Sequence, residues 1–578
     1  MDNVKTYKII VKDCDYSSWK ILDTSSLNLV EILIFPLRSK LFSEDIFIFN
    51  TVSERAVVVD SPIRSNDIAG IIMVRDNKTY GKYKNGKFLY KFIPDNKELP
   101  HFLVPYEMKN VGFSKSFVDI YATITFINWD DKHPMGTIKE NIGLVDNIDK
   151  YYEYKLHCRK LNISISKMSK AVLTSLHFNP DAKQDYADNL KNARLQYNLV
   201  EAMDRNKTTG HYIMTIDAHG TTDYDDAVSI SQVGHGTFMI SIYISNVAIW
   251  MDFLNLWGAF SKRASTVYIP DQKMCMVPDV LTINYLSLQA NKQRVAFVID
   301  IYVNNGDILH VTFNNSVIIV SENYTYEEPR LRDNVNYKLL FNIVKSLQLS
   351  HYDSSHIKTS RDVIESLMIL ANTVSAKIIN ENNHGVFKTH PRENTTYFKN
   401  DAQQNHGDFR WNPPVNYFTH SNPALFKLNS KLYSQITSPI RKVVDLLNIL
   451  KLQEDVLLCA FSEYAHNFYK EWADNIDYIN IYIKNTRKIQ NECRLLRTCV
   501  RNENEIHDGL IVDVIKSSTD EHEYNTYIVF LQSLNLSSKI VTTNVCNVGD
   551  CHKYKLYIFN DESAIHRKIR IMRVETVA

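Results

Sequence analysis

Glycine, proline and paired cysteines are scarce in this sequence. It has 16 glycines and 15 prolines in 578 residues, so collagen-like repeats, glycine-rich linkers and glycine-cradled nucleotide loops are not expected. The eight cysteines form no C-x-x-C pair, which indicates reduced thiols rather than a disulfide scaffold. Cys546, Cys551 and His552 lie close together in the sequence, but a closed zinc site needs a fourth ligand that this group lacks.

Long apolar runs and an excess of one charge are also absent. No stretch of about 20 apolar residues occurs, and the start MDNVKTYK does not resemble a secretory signal. We therefore expect no membrane partner, no secretion and a cytoplasmic location, with the nucleus as the alternative. The 66 basic and 65 acidic residues leave a net charge of +1, so any nucleic-acid surface must be local.

Short strand-like segments and amphipathic helices alternate in blocks along the chain. Residues 1–175 contain apolar runs such as YKIIV and FLYKFI between polar turns, a pattern typical of small β-barrels. Helical periodicity covers 362–379, where Thr359 and Asp362 predict a capping box, and returns at about 440–475. Short strands follow a basic stretch at 484–501. The predicted fold class is multidomain α+β, with β-barrels at both ends.

The segment DAHGTTDYDD in the central region holds four carboxylates and no lysine or arginine. Asp217, Asp223, Asp225 and Asp226 lie on a connection between two apolar, strand-like segments. Crowded carboxylates repel one another unless protons or cations neutralise them, and their hard oxygens suit Mg²⁺, with Mn²⁺ as a second choice. A calcium loop does not fit, because Val228 takes its glycine position. A solvated acidic loop remains the competing interpretation.

The segment TIDAHGTTDYDDAVSI (215–230) resembles the acidic signature of the ribonuclease II family, the RNB exoribonucleases. YSQITSPIRKVVDLL (433–447) resembles the second signature of that family. Within that family, the sequence most resembles the exosome-type and large-DNA-virus members. We expect it to lack the N-terminal endonuclease domain of the exosome-type members. The segments similar to other family blocks are NWDDKHPMGTIKENIGLV (128–145), SKRASTVYIPDQKMCMVP (261–278), SRDVIESLMILAN (360–372) and HGVFKTHP (384–391).

This resemblance implies a division into domains. Two cold-shock or OB-like barrels are expected at 1–75 and 76–175, followed by a linker at 176–204. An RNB catalytic domain is expected at 205–503, and an OB-type RNA-binding barrel at 504–578. A monomer is compatible with this organisation, and the sequence does not identify protein partners.

The resemblance also implies an activity and a set of site residues. The implied reaction is magnesium-dependent, processive hydrolysis of single-stranded RNA from the 3′ end, releasing nucleoside 5′-monophosphates. The four aspartates would hold the metal, and Arg441 would contact the scissile phosphate. The residues expected to contact RNA are Tyr268, which would stack on the terminal base, Tyr326, Glu365, Lys442, Lys388, Lys82 and Tyr83.

Several positions depart from the family pattern. Tyr243 and Asn246 stand where the family has His and Asp, and Gln435 replaces a His. Asn448 and Ile449 replace a His-Arg pair. These changes keep two alternatives open: a catalytically weak RNA-binding or regulatory protein, and a DNA phosphodiesterase. The basic segments at 80–92 and 484–501 are RNA surfaces on one interpretation, and an ordinary amphipathic hairpin and a solvated helix face on the other.

Overall fold

The computed structural model describes most of the chain and divides into two compact units. Residues 1–162, 495–503 and 556–570 form the first unit, and residues 163–494, 504–555 and 571–578 form the second. The described residues are 5–51, 53–84, 86–107, 117–176, 182–200, 211–347, 357–389, 397–398, 409–410, 416–420, 432–501, 505–516, 524–534, 536–560 and 567–574.

The first unit opens with an antiparallel four-stranded sheet, in the order β2-β1-β3-β4. Alternate residues of the first strand, such as Ile9 and Val11, are fully buried, as expected for a sheet with one face on a core. The strands are β1 (Tyr7–Val11), β2 (Trp19–Asp23), β3 (Ile46–Asn50) and β4 (Arg55–Asp60).

A short helix, α1 (Pro62–Ser65), leads from this sheet into a closed five-stranded barrel, with the order β5-β6-β7-β9-β8. The predicted boundary between the two barrels lies at 75/76, but the second barrel already begins at Ile68. The reason is that the capped turn of α1 separates the two sheets. Helix α2 (Ile148–Cys158) follows the barrel. The strands are β5 (Ile68–Met73), β6 (Phe88–Pro94), β7 (Phe102–Tyr106), β8 (Ile120–Asn128) and β9 (Met135–Leu144).

The second unit is built around a six-stranded sheet with the order β16-β15-β12-β11-β10-β17. All neighbours are antiparallel except β10 and β17, which are parallel. Strand β12 is buried along almost its whole length, which explains its near-continuous apolar sequence. The strands are β10 (Met214–Asp217), β11 (Asp226–Gly234), β12 (Thr237–Ser245), the hairpin β13 (Val267–Ile269) and β14 (Gln272–Met274), β15 (Gln293–Asn304), β16 (Asp307–Ile319) and β17 (Glu322–Thr325).

Helices surround this sheet, and the described ones do not combine the length and the apolar composition that crossing a membrane requires. The predicted capping box is confirmed: Asp362 N–H donates to Thr359 Oγ1 (3.2 Å), and Thr359 N–H donates to Asp362 Oδ2 (2.7 Å). The helices are α3 (Ser166–Ser175), α4 (Ala182–Tyr197), α5 (Val247–Phe253), α6 (Asp279–Leu281), α7 (Pro329–Asp333), α8 (Val335–Ser346), α9 (Ser360–Glu381), α10 (Val443–Asp455), α11 (Glu463–Asp474) and α12 (Ile476–Arg501).

Helix α4 lies in the segment that the sequence predicts as a linker at 176–204. It packs on the second unit rather than bridging open space, because Leu190, Ala193 and Tyr197 are buried at i, i+3 and i+7. The Tyr197 hydroxyl donates to Asp252 Oδ2 (2.9 Å), so the helix is held by a polar contact as well. Because most residues between these three positions are polar, the sequence does not show a clear amphipathic helix here.

Two short strand pairs and a C-terminal sheet complete the described strands. The C-terminal sheet has the order β24-β23-β22-β25-β26, in the region predicted to form a barrel. The short pairs are β18 (Phe387–Lys388) with β21 (Tyr417–Phe418) and β19 (Tyr397–Phe398) with β20 (Phe409–Arg410), and the sheet strands are β22 (Ile506–Lys516), β23 (Asn525–Leu531), β24 (Leu536–Thr542), β25 (Cys551–Asn560) and β26 (Arg567–Arg573).

Gly70 provides a test of the closed barrel. A Cβ at this position would lie 2.4 Å from the Ile93 carbonyl oxygen and 2.4 Å from the Phe92 ring. We expect Gly70→Ala to lower the free energy of unfolding by about 1–3 kcal/mol, measured by urea denaturation, because the backbone must shift. Gly258→Ala is the control, since nothing lies within 4 Å of its added Cβ. Equal effects of the two substitutions would contradict the closed packing at Gly70.

Candidate active site

The acidic motif lies at one edge of the central sheet. Asp217 ends β10 and Asp226 begins its antiparallel neighbour β11, so the connection carrying the other two aspartates is confined to that edge. Strand β17 runs parallel to β10 and ends at the same edge, where the Tyr326 N–H donates to the Asp217 carbonyl oxygen (2.9 Å). The sheet topology therefore concentrates all four carboxylates and Tyr326 in one place.

The second motif is fastened onto this edge by Asp225. The Ile440 N–H donates to Asp225 Oδ1 (2.9 Å), and Arg441 Nε lies 3.0 Å from Asp225 Oδ2. Asp445 holds the same turn from its other side by accepting from the Ser438 N–H (2.9 Å). Burial raises the pKa of Asp225 to about 7, although Arg441 and the Ile440 amide oppose this shift. The Arg441 side chain remains 43% exposed, so its unused N–H groups face the open side of the site.

The hairpin β13–β14 packs beside Arg441. The Val443 N–H donates to the Ala264 carbonyl oxygen (2.9 Å), and the Thr266 N–H donates to the Arg441 carbonyl oxygen (3.0 Å). Tyr268 follows two residues later with a ring that is 39% exposed. The backbone thus fixes the predicted base-stacking residue and the predicted phosphate-binding residue relative to each other.

Lys273 is a site residue that the sequence did not reveal. It lies opposite Tyr268 in the β13–β14 register, and its ammonium forms an ion pair with the Asp223 carboxylate. This contact raises the pKa of Lys273 despite partial burial. The Pro-Asp turn at residues 270–271 could have predicted this contact. Such a turn forms a hairpin and pairs the residues on either side of it.

Asp217 and Asp226 are the two carboxylates of the motif that take part in no described ion pair. Burial raises the pKa of both groups, and the charge of Asp217 raises that of Asp226 further. Asp217 Oδ2 is buried and has no hydrogen-bond partner among the described residues. A carboxylate oxygen without a hydrogen-bond partner, beside the partly buried carboxylate of Asp226, fits a hard divalent cation, since such an ion supplies the missing charge and the missing ligand contact.

The four predicted metal ligands do not converge equally. In the described part of the chain, two groups of three potential ligands bring their atoms within 4.8 Å of one another, and neither includes an aspartate of this motif. Two of the four aspartates already have cationic partners, because Lys273 pairs with Asp223 and Arg441 pairs with Asp225. Asp217 and Asp226 are therefore the residues best placed to hold a cation.

Part of the chain matches a known protein family. Residues 205–331 match the family model of the RNB domain. This segment is similar to an RNB domain. The predicted resemblance to the ribonuclease II family is thereby confirmed, and the acidic segment lies inside the matched region.

One relative and two solved structures extend the RNB comparison. The exosome complex exonuclease RRP44 of Mus musculus is 25% identical over 303 residues, which cover 45% of this chain and 30% of that protein. Mycoplasma genitalium RNase R in complex with ribose-methylated single-stranded RNA matches with a TM-score of 0.65 at 16% identity, covering 98% of this chain and 100% of the other. Yeast Ssd1, a pseudonuclease, matches with a TM-score of 0.53 at 12% identity, covering 95% and 80%. The predicted fold class, with β-barrels flanking an RNB α+β domain, is confirmed.

Three further residues predicted to contact RNA are Lys442, Tyr326 and Glu365. Lys442 precedes α10 and lowers the pKa of Asp226, so it lies near the acidic edge. The Arg361 guanidinium lies 5.1 Å from the centroid of the Tyr326 ring. Partial burial raises the pKa of the Tyr326 hydroxyl to about 12, and the charges of Asp226 and Asp217 contribute to this rise. Glu365 lies at an exposed position of α9. The function of these residues stays a prediction.

The remaining predicted contacts are lysines with aromatic neighbours. The Lys388 ammonium lies 5.7 Å from the centroid of the Tyr433 ring, in the second unit. Lys82 and the half-buried Tyr83 lie in the first unit, where the Lys82 ammonium lies 5.1 Å from the centroid of the Phe88 ring. The exposed Lys82 next to the exposed Phe88 ring suits a single strand, whereas Lys388 and Tyr433 are both half-buried. The RNA-binding interpretation of Lys82, Tyr83 and Lys388 also stays a prediction.

The departures from the RNB pattern are buried and internally satisfied. Tyr243 hydrogen-bonds Ser229 Oγ (2.9 Å). The Asn246 amide donates to Asn315 Oδ1 and to Gln453 Oε1 (both 2.9 Å), and all three side chains are buried. Neutral, closed polar contacts have replaced the ionisable family residues at these two positions without leaving a buried charge.

Two of the other three departures make a similar contact set around the second motif. Gln435 accepts from the Tyr417 hydroxyl (2.5 Å). The buried Asn448 amide donates to the Val386 and Gln435 carbonyl oxygens (both 2.9 Å) and accepts from the Val386 N–H (2.8 Å). These residues support the turn from inside the domain rather than facing its acidic edge.

We predict that Mg²⁺ stabilises the protein in a pH-dependent manner. Unfolded aspartate has a pKa of about 3.9, so raised folded-state pKa values mean that the ionised Asp217 and Asp226 destabilise the metal-free fold as pH rises. Mg²⁺ binds the ionised form and removes this cost. The Mg²⁺-induced rise in Tm should therefore be larger at about pH 8 than at about pH 5.5, measured by differential scanning fluorimetry.

Asp226→Asn tests this assignment. It should raise the Tm of the metal-free protein at about pH 8 and reduce the Mg²⁺ response, because one buried negative charge is gone. Asp307→Asn, at an exposed hairpin position of the same unit, is the matched control. An unchanged Mg²⁺ response in Asp226→Asn would contradict the metal assignment.

Proposed function

We propose that this protein is a magnesium-dependent exoribonuclease that hydrolyses single-stranded RNA processively from its 3′ end and releases nucleoside 5′-monophosphates. The observation that carries the proposal is the contact of the buried Asp225 with the Ile440 N–H and with Arg441, which joins the two motifs at one sheet edge. The aligned part spans 30% of the mouse relative, so the activity, direction and substrate are proposals for this chain.

The residues divide the work of phosphodiester hydrolysis. A divalent cation bound by Asp217 and Asp226 would lower the pKa of a water molecule and stabilise charge on the phosphate oxygens. Arg441 binds a non-bridging phosphate oxygen through the N–H groups that Asp225 and Ser438 leave unused, and its planar group suits phosphate better than an ammonium does. Asp225 positions Arg441.

Two aromatic side chains hold the nucleotides. Tyr268, on the hairpin pinned to Arg441, stacks on the terminal base, and Tyr326 contacts the nucleotide from the opposite side of the acidic edge. Stacking contributes about 1–3 kcal/mol per base and selects no sequence. A sequence-tolerant substrate of unpaired RNA follows from this division, and Mn²⁺ is expected to replace Mg²⁺ with the same oxygen ligands.

A catalytically weak RNA-binding protein is the second candidate. The specific observation that favours it is the separation of the carboxylates by Lys273 and Arg441, which leaves fewer ligands for a cation than the motif contains. The fold alone is compatible with this alternative, since Ssd1 is a pseudonuclease.

A time course with 5′-labelled single-stranded RNA tests the nuclease. Wild type with Mg²⁺ should give a ladder that shortens from the 3′ end, with mononucleotides identified by thin-layer chromatography. Arg441→Lys should lower kcat by about 10²–10³-fold, because one preorganised donor set is lost. Asp226→Asn should lower it by on the order of 10³-fold or more, and Asp307→Asn should match wild type.

The same assay separates the alternatives. EDTA should abolish turnover, and DNA of the same sequence should compete poorly if the 2′-hydroxyl is read. RNA that is bound but left intact across a range of Mg²⁺ and Mn²⁺ would make the RNA-binding protein the better description. Equal cleavage of DNA would favour a phosphodiesterase of broader substrate range. The cytoplasmic or nuclear location stays a prediction.

A further inference from the structure

A second cluster of potential metal ligands lies in the C-terminal sheet, apart from the acidic motif in sequence. Cys546 Sγ, an Asp550 carboxylate oxygen and a His552 ring nitrogen lie within 4.8 Å of one another. Cys546 and Asp550 belong to the connection between β24 and β25, and His552 is the second residue of β25. In the sequence, Cys546 and His552 group with Cys551, and that group lacks a fourth ligand.

Cys551 is excluded because it points into the core of the sheet. It packs against the hydrophobic cluster of Leu510, Val512 and Phe530. Adjacent residues of a strand face opposite sides, so His552 points away from that cluster and towards the connection. Asp550, rather than Cys551, therefore completes the group, with the spacing C-x3-D-x-H.

The connection that carries the cluster is already ordered by backbone contacts. The Gly549 N–H donates to the Ile511 carbonyl oxygen (2.8 Å), and the Ile511 N–H donates to the Asp550 carbonyl oxygen (2.9 Å). The Cys546 N–H donates to the Tyr527 hydroxyl oxygen (3.0 Å). These contacts position the donor atoms before any ion binds, which lowers the entropic cost of binding.

His552 supplies an independent indication of a ligand. Its Nε2 atom is buried and has no hydrogen-bond partner among the described residues. Leaving a buried polar nitrogen unpaired costs free energy that a coordinated cation would recover.

Arg573 is the cationic competitor at this site. Its exposed guanidinium faces Cys546, where burial raises the pKa of the thiol and Arg573 opposes that shift. The other three-residue group in the described chain is weaker: the Glu153 carboxylate already pairs with Lys150 (2.8 Å), and Glu140 is exposed. Of these two groups, only the C-terminal one combines a thiol, a carboxylate and an unpaired imidazole nitrogen.

We propose that Cys546, Asp550 and His552 form a binding site for Zn²⁺, with one sulfur, one oxygen and one nitrogen ligand and a water in the fourth position. A thiolate and an imidazole favour a borderline-soft transition metal over Mg²⁺, and three protein ligands are enough when water completes a tetrahedron. The ion would fasten the 543–550 connection to β25. This site is independent of the proposed nuclease activity.

Cobalt titration of the full chain tests the site without measuring activity. The protein is stripped with chelator under reducing conditions and titrated with Co²⁺, whose thiolate charge-transfer and tetrahedral d–d absorption bands report sulfur ligation. We expect these bands to saturate at one ion per chain, to vanish on adding Zn²⁺ and to persist with excess Mg²⁺. The acidic motif could also take up Co²⁺, but its carboxylates give no sulfur band.

Three variants separate ligation from folding. Cys546→Ser should remove the charge-transfer band, and His552→Gln should weaken Zn²⁺ binding by more than about 10-fold, the effect that even outer-shell partners show. Cys551→Ser is the matched control and should keep the band. Arg573→Ala removes no ligand and should tighten binding, because a competing positive charge is gone.

Thermal stability gives a second readout. Zn²⁺ should raise the Tm of wild type and of Cys551→Ser, and should leave Cys546→Ser unchanged. Circular dichroism checks that each variant is folded. Absence of the sulfur band in folded wild type, or its persistence in Cys546→Ser, would overturn the proposal.

Discussion

The buried carboxylate of Asp225 is the contact on which the site depends. It joins two motifs that are 215 residues apart in sequence, by accepting from the Ile440 N–H and pairing with Arg441. Removing Arg441 would leave the buried Asp225 carboxylate uncompensated, which destabilises the domain. Placement of the arginine and integrity of the domain are therefore set by the same interaction.

The surrounding backbone makes this contact reproducible. Strands β10, β11 and β17 end or begin at one sheet edge, and the β13–β14 hairpin hydrogen-bonds the turn that carries Arg441. A site built on paired strands keeps its geometry better than one built on loops alone, because the ladder hydrogen bonds fix the register. The carboxylates can then bear strong mutual repulsion without rearranging the chain.

Sequence reasoning reached the features that are local in the chain. The capping box at Thr359 and the aspartate cluster follow from spacing, and the similarity of two motifs predicted the fold. Lys273 was missed because its partner, Asp223, is 50 residues away and is brought near by a hairpin. Asp550 was missed because the relevant information was the side of β25 on which Cys551 lies, which a sequence does not state.

The amide cluster of Asn246, Asn315 and Gln453 has a consequence for how this sequence can change. Every hydrogen-bonding group of the Asn246 side chain is used, since its oxygen also accepts from the Ile249 N–H (3.2 Å). An aspartate there would place its oxygens against the oxygens of Asn315 and Gln453 unless both amides turned over. We therefore expect substitutions at these three positions to depend on one another. The single substitution Asn246→Asp should lower the stability of the protein.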